Sequence, residues 1–147
     1  MTLRMFPLTH QLPDKSYFPG EQLGKAIELS PSPTALANGT CDRLTDATLL
    51  TLIPGVFTLH LFSSNLTSQD GDVFSPVLDT FIGSLTFKTG LGELGAMHYC
   101  ELRDLSVPIY STDSGRKTYG YLVRSKSGSQ KAVNLGSLVM LKVGIES

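Results

Sequence analysis

The stretch Lys131 to Ile145, KAVNLGSLVMLKVGI, constrains the fold more than any other part of this sequence. Its odd positions hold Val133, Leu135, Ser137, Val139, Leu141, Val143 and Ile145, and its even positions hold Ala132, Asn134, Gly136, Leu138, Met140, Lys142 and Gly144. In an extended chain, successive side chains point to opposite faces. A period of two with one strongly apolar face is therefore a β-strand lying on a core.

The alternation recurs upstream. Over 55–63 it puts Phe57, Leu59 and Leu61 on one face and Val56, Thr58, His60 and Phe62 on the other. Over 77–88 it turns Val77, Phe81, Leu85 and Phe87 inward. Asp79 and Gly83 share that side, so a bend or bulge is expected near them. Strands are also predicted over 96–102 and 118–124, with a short one over 107–111 whose Pro108 suits a sheet edge. Thr45 to Ile53 is ambiguous. Thr45 could cap a short helix that stops before Pro54, or the β-branched content could make a strand.

Polar and glycine-rich turns separate these runs: SSNLTSQDGD over 63–72, TGLGELG over 89–95, Asp113-Ser114-Gly115, and SKSGSQ over 125–130. Seven or eight short strands at this spacing predict an all-β protein, an antiparallel β-sandwich or jelly-roll-like domain.

Residues 1–45 read differently from residues 46–147. They hold Pro7, Pro13, Pro19, Pro31 and Pro33, five of the eight prolines. They also hold Met5, Phe6, Leu12, Tyr17, Phe18, Leu23, Ile27 and Leu29, more apolar groups than a disordered linker carries. The expectation is an extended proline-rich N-terminal arm over 1–45, with one short strand near 25–29. It would precede a β-sandwich domain over 46–147. Phe6, Leu12, Tyr17 and Phe18 would anchor the arm across a subunit boundary.

A net charge of −1 supplies no global field for nucleic acid. Residues 111–147 are locally basic, with Arg116, Lys117, Arg124, Lys126, Lys131 and Lys142 against Asp113 and Glu146. Tyr110, Tyr119 and Tyr121 lie among them. Such a pattern can stack single-stranded nucleic acid, but tyrosine on a sheet is also a common subunit-interface residue. Near-neutral charge favours Tyr119 and Tyr121 as protein-interface residues, with no nucleic-acid partner expected. MTLRMFPLTH lacks a continuous apolar leader core, and no run approaches a membrane span. Neither secretion nor a membrane is expected. The sequons at Asn38 and Asn65 therefore read as turn chemistry.

The groups able to carry chemistry are few. Cys41 and Cys100 cannot build a disulfide framework and read as small apolar residues. His98 and Cys100 share a strand face, and pairing of that strand with the one bearing His60 could bring the three together. Even so, a zinc site would lack a fourth ligand, and Cys100 lacks a converging base. Asp70, Asp72 and Asp79 lack the EF-hand spacing for calcium. Gly90, Gly92 and Gly95 match the spacing of half a dinucleotide fingerprint, but no helix of sufficient length follows, so they read as a hairpin. No catalytic residue, cofactor or metal is expected. The functional expectation is a non-enzymatic structural protein that forms symmetric homo-oligomers, of the kind found as capsid, decoration or tail components of virions. The alternative is a ligand- or carbohydrate-binding β-sandwich module. The expected location is the virion, otherwise the cytoplasm. Both readings rest on fold-level analogy.

Overall fold

The computed structural model describes residues 3–30, 41–75, 78–112, 116–125, 131–136 and 138–146. In chain order the strands are β1 (Leu3–Gln11), β2 (Ser16–Tyr17), β3 (Ile27–Leu29), β4 (Asp42–Thr51), β5 (Val56–Phe62), β6 (Phe81–Lys88), β7 (Gly92–Leu94), β8 (Met97–Leu102), β9 (Val107–Ile109), β10 (Thr118–Arg124), β11 (Val133–Asn134) and β12 (Leu138–Glu146). The described residues include no α-helix, only 3₁₀ turns at Leu78–Thr80 and Thr89–Leu91. Among the described residues no helix is long and apolar enough to cross a membrane.

Every strand pairing is antiparallel. One sheet runs β1-β12-β4-β8-β7, with β9 also on β4, and the other runs β3-β10-β5-β6. A small ribbon pairs β2 with β11. The two large sheets face each other across a single apolar core in a sandwich-like arrangement. From one sheet come Leu44, Ala47, Leu49, Val139, Leu141, Val143 and Ile145. From the other come Phe57, Leu59, Leu61, Leu85, Phe87 and Leu122. The inward faces predicted for 55–63 and 139–145 are those buried.

Two bulges account for the positions where simple alternation misleads. In β4, Asp46 pairs with Gly144 and Leu44 with Ile145, leaving Thr45 as an extra residue. Leu44 and Ala47 thus reach the same face three residues apart, a spacing that mimics a helix. The strand alternative for this segment is correct. In β6, Leu61 pairs with Gly83 but Phe62 with Phe81, so Ile82 is the bulged residue. The expected bulge exists, and it reverses the alternation beyond it. Ile82 packs against the core, while Phe81 turns to the other face beside Phe62 and is 38% exposed. Phe81 is therefore not a core residue as expected. Val77 lies outside the described residues, as do the predicted turns at 113–115 and 126–130.

The continuous strand expected over 131–145 is interrupted. Gly136 has φ +90°, where a Cβ would come within 2.6 Å of Leu52, so the chain kinks there. Val133 and Asn134 pair with Tyr17 and Ser16 in the small ribbon, and Leu135 still drops into the core.

The described part of 1–45 departs most from expectation. β1 zips along β12 from Leu3↔Glu146 to Gln11↔Leu138. Leu12, Tyr17, Leu23, Ile27 and Leu29 are buried in this chain's own core. Leu12 and Tyr17 are thus not anchors for a neighbour. Phe6 packs at the margin of the same core, and Phe18 alone of the four is exposed. The core built from 46–147 is incomplete by itself, and these side chains complete it.

Removing residues 1–20 strips β1 and Tyr17 from the fold, and the truncated chain should lose cooperative unfolding and sheet signal by far-UV circular dichroism. In the full chain, Leu49→Ala should cost about 2–5 kcal/mol in urea unfolding because it opens a cavity in the core. Leu50→Ala, on the opposite face, should cost well under half of that.

Candidate functional site

The densest polar constellation centres on Asp70, in the long loop between β5 and β6. Its carboxylate accepts from Tyr17 Oη at 2.6 Å, from the Gly24 N–H at 2.6 Å and from Lys15 Nζ at 2.7 Å. Lys15 also sits over the Tyr17 ring, 5.1 Å from its centroid. Burial alone would raise the Asp70 pKa. The hydrogen bonds from Lys15, Tyr17 and Gly24, with the Lys15 charge, outweigh it and hold the carboxyl below its ordinary value. Burial, then the Asp70 hydrogen bond and charge, push the Tyr17 phenol upward. Both oxygens of Asp70 are committed to donors of this chain, so the group works as a latch between 15–24 and the β5–β6 loop.

His10 stands beside it. Nε2–H donates to the Leu23 carbonyl at 2.6 Å. Gly24 is required here: it has φ +71°, and a Cβ would lie 2.5 Å from His10 Nε2. Burial lowers the His10 pKa, opposed by the Leu23 hydrogen bond and the Asp70 charge. Two open hollows of about 550 and 600 Å³ adjoin the latch. They share Lys25 and Asp70; one is walled by His10 and Gln11, the other by Asn65, Thr67 and Gln69.

The β5–β6 loop also covers the outside of the four-stranded sheet. Leu66 and Phe74 pack on Phe62, Tyr119 and Tyr121. Tyr121 Oη accepts from the Leu66 N–H at 2.7 Å and donates to Asn65 Oδ1 at 2.9 Å. Tyr119 and Tyr121 are thus buried and do not form the exposed interface patch expected of them. The basic residues near them are engaged as well: Lys117 pairs with Glu28 at 2.6 Å, and Arg124 donates to the Tyr17 and Lys131 carbonyls.

The other candidates are kept apart. His60 lies on the four-stranded sheet, with Nδ1 2.7 Å from Ser84 Oγ and its ring stacked on Phe74. His98 and Cys100 lie on β8 of the six-stranded sheet, on its inner face, opposite Thr51 and Leu49. The strands do not pair, so the three do not meet. Cys41 is exposed and Cys100 half-buried at the core margin. Among the described residues no group of three or more His, Cys, Asp or Glu could hold a metal ion. Asp72 caps the Gln69 N–H at 2.9 Å, and Asp79 sits in the 78–80 turn. The glycine-rich 89–95 stretch ends in the β7–β8 hairpin, with Leu94 opposite Met97.

The outer face of the six-stranded sheet escaped sequence reasoning. Its registers align Thr9, Met140, Leu50, Tyr99 and Gly92 in one row, and Pro7, Lys142, Thr48 and Glu101 in the next. Tyr99 lies flat over Gly92, where a Cβ would come within 2.7 Å of the ring. Met140 is 39%, Tyr99 36% and Leu94 64% exposed, and Leu3 and Met5 are exposed on the same face. The one available signal was Met140 among the even positions of the terminal strand. Comparison with protein-family models and with curated protein sequences gave no match.

Acid should weaken the protein in two stages. His10 and His60 have lowered pKa values through burial, so the unfolded chain takes up protons first and stability falls as pH drops below about 6.5. Asp70, whose pKa is also lowered, contributes above about pH 4 and is lost below it. Urea midpoints across pH 3 to 8 should show both falls, with His10→Gln shallowing the first and Asp70→Asn the second.

Proposed function

We propose that this protein is a non-enzymatic structural protein that acts by assembling with copies of itself or with neighbouring subunits. Capsid, decoration and tail components of virions are the closest functional class, and the virion is then its location. The observation that carries the reading is the outer face of the six-stranded sheet, where the exposed Met140 and Tyr99 flank Leu50 in one row and Leu94 is exposed on the adjoining β7. An exposed apolar patch of that kind marks a contact surface. The Asp70 constellation supports the same reading, because its charges and hydroxyls are engaged in holding chain segments together. The link to virions is an analogy from β-domain architecture.

The two hollows beside Lys25 favour a second reading, a binding site for a small polar ligand such as a sugar. Lys25, Asn65, Thr67 and Gln69 supply polar groups on walls that are otherwise largely apolar. Stacking on an aromatic does not support that reading, because Tyr17 is buried beneath the latch.

Sedimentation or light scattering of the native protein should give a mass above that of the single 15.9 kDa chain, rising with concentration. Glycan-array binding by a strictly monomeric protein would instead favour the second reading.

A further inference from the structure

We infer that the outer face of the six-stranded sheet receives a second copy of this chain, packed face to face about a two-fold axis running along β4. The inference rests on the assembly reading above and adds the partner and the geometry.

β4 lies between β12 on one side and β8 on the other. In the first row, Leu50 on β4 has Met140 on one side and Tyr99 on the other. In the next row, Thr48 on β4 has Lys142 on one side and Glu101 on the other. A two-fold axis along β4 keeps each row in place and exchanges its two sides. Leu50 then meets the partner's Leu50, and Met140 meets the partner's Tyr99. Lys142 meets the partner's Glu101, and symmetry makes that contact twice.

Each of these contacts is chemically favourable. A thioether against an aromatic ring is a good contact. Among the described residues Lys142 has no ion-pair partner in its own chain. Glu101 pairs through Oε1 with Arg103, which leaves Oε2 for a lysine from across the interface. Opposite charges placed at equal distance from the central strand make this face complementary to itself, as an isologous contact demands.

Geometry permits the contact. Stacked sheets lie about 10 Å apart, and strands in a sheet about 4.8 Å apart. A two-fold axis along β4 lays the two copies' β4 strands parallel, within the range of aligned sheet packing, so the strands next to the axis stay in reach. Five strand columns, from the ten residues of β4 down to the three of β7, give a face on the order of 600 Å² from those spacings. A standard interface uses about 800 Å² per partner. The contact is therefore of moderate size, and its association should be concentration-dependent.

Charge exchange tests the inference. Sedimentation velocity from about 1 to 100 µM spans the affinity expected of such an interface. The wild-type chain should self-associate across it. Lys142→Glu and Glu101→Lys each oppose like charges in a homodimer, and each should weaken association by about tenfold or more. An equimolar mixture of the two single variants should recover association, because each lysine then faces a glutamate in the heterodimer. The double variant should recover it too. Both side chains are exposed, and circular dichroism checks that each variant is folded. Leu50→Glu, on the axis itself, should abolish association without unfolding the chain. A wild-type chain that is monomeric throughout would overturn both this inference and the assembly reading. Self-association that ignores the charge variants, or Leu50→Glu, or that fails to recover on mixing, would overturn this packing alone.

Discussion

The structure depends on β12 being paired on both sides while its alternate side chains are buried. Val139, Leu141, Val143 and Ile145 reach the core, and β1 and β4 take up the backbone groups on the two edges. A strand in that position must lie flat, apolar on one face and free of donors left without partners. The opposite sheet then has one surface to close upon. Phe57, Leu59, Leu61, Leu85, Phe87 and Leu122 supply that closure. β1 is tied to the same strand, so the first and last strands of the sequence stabilise one another.

A second layer of organisation hangs on the Asp70 latch. The loop between β5 and β6 has little regular structure, and its backbone would otherwise need solvent. It is held by Asp70 to Tyr17, Lys15 and Gly24, and by Asn65 and Leu66 to Tyr121. Held there, it buries the outer side of β10, which is why that strand is enclosed on both faces. Polar groups that look chemical in isolation are thus consumed in building the protein. Among the described residues, the outer face of the larger sheet is where Met140, Tyr99 and Leu94 stay exposed beside Lys142 and Glu101.

Most strands could be read from alternation alone, because period two is a local property that burial on one face imposes on the sequence. The inward residues of β5 and β12, the glycine-rich hairpin before β8 and the edge position of Pro108 followed from it. The bulge near Gly83 was foreseen, but not its effect on Phe81. Where the ladder gains a residue, everything beyond changes face, and no local pattern states which residue is the extra one. The same reason left β4 open between helix and strand.

The partners of the first 29 residues could not be read. Prolines and scattered aromatics describe an extended chain, and an extended chain can lie on any apolar surface. That β1 pairs with β12, more than 120 positions away, and that Tyr17 reaches Asp70 are decisions of the closed fold. So is the row of Met140, Leu50, Tyr99, Lys142 and Glu101, assembled from three strands whose register only the sheet defines. The sequence by itself determined the class of the fold and most of its core, because alternation and turn chemistry act over a few residues. Tertiary structure alone decided which groups were spent inside and which were left facing outward, because that depends on contacts between residues far apart in the chain.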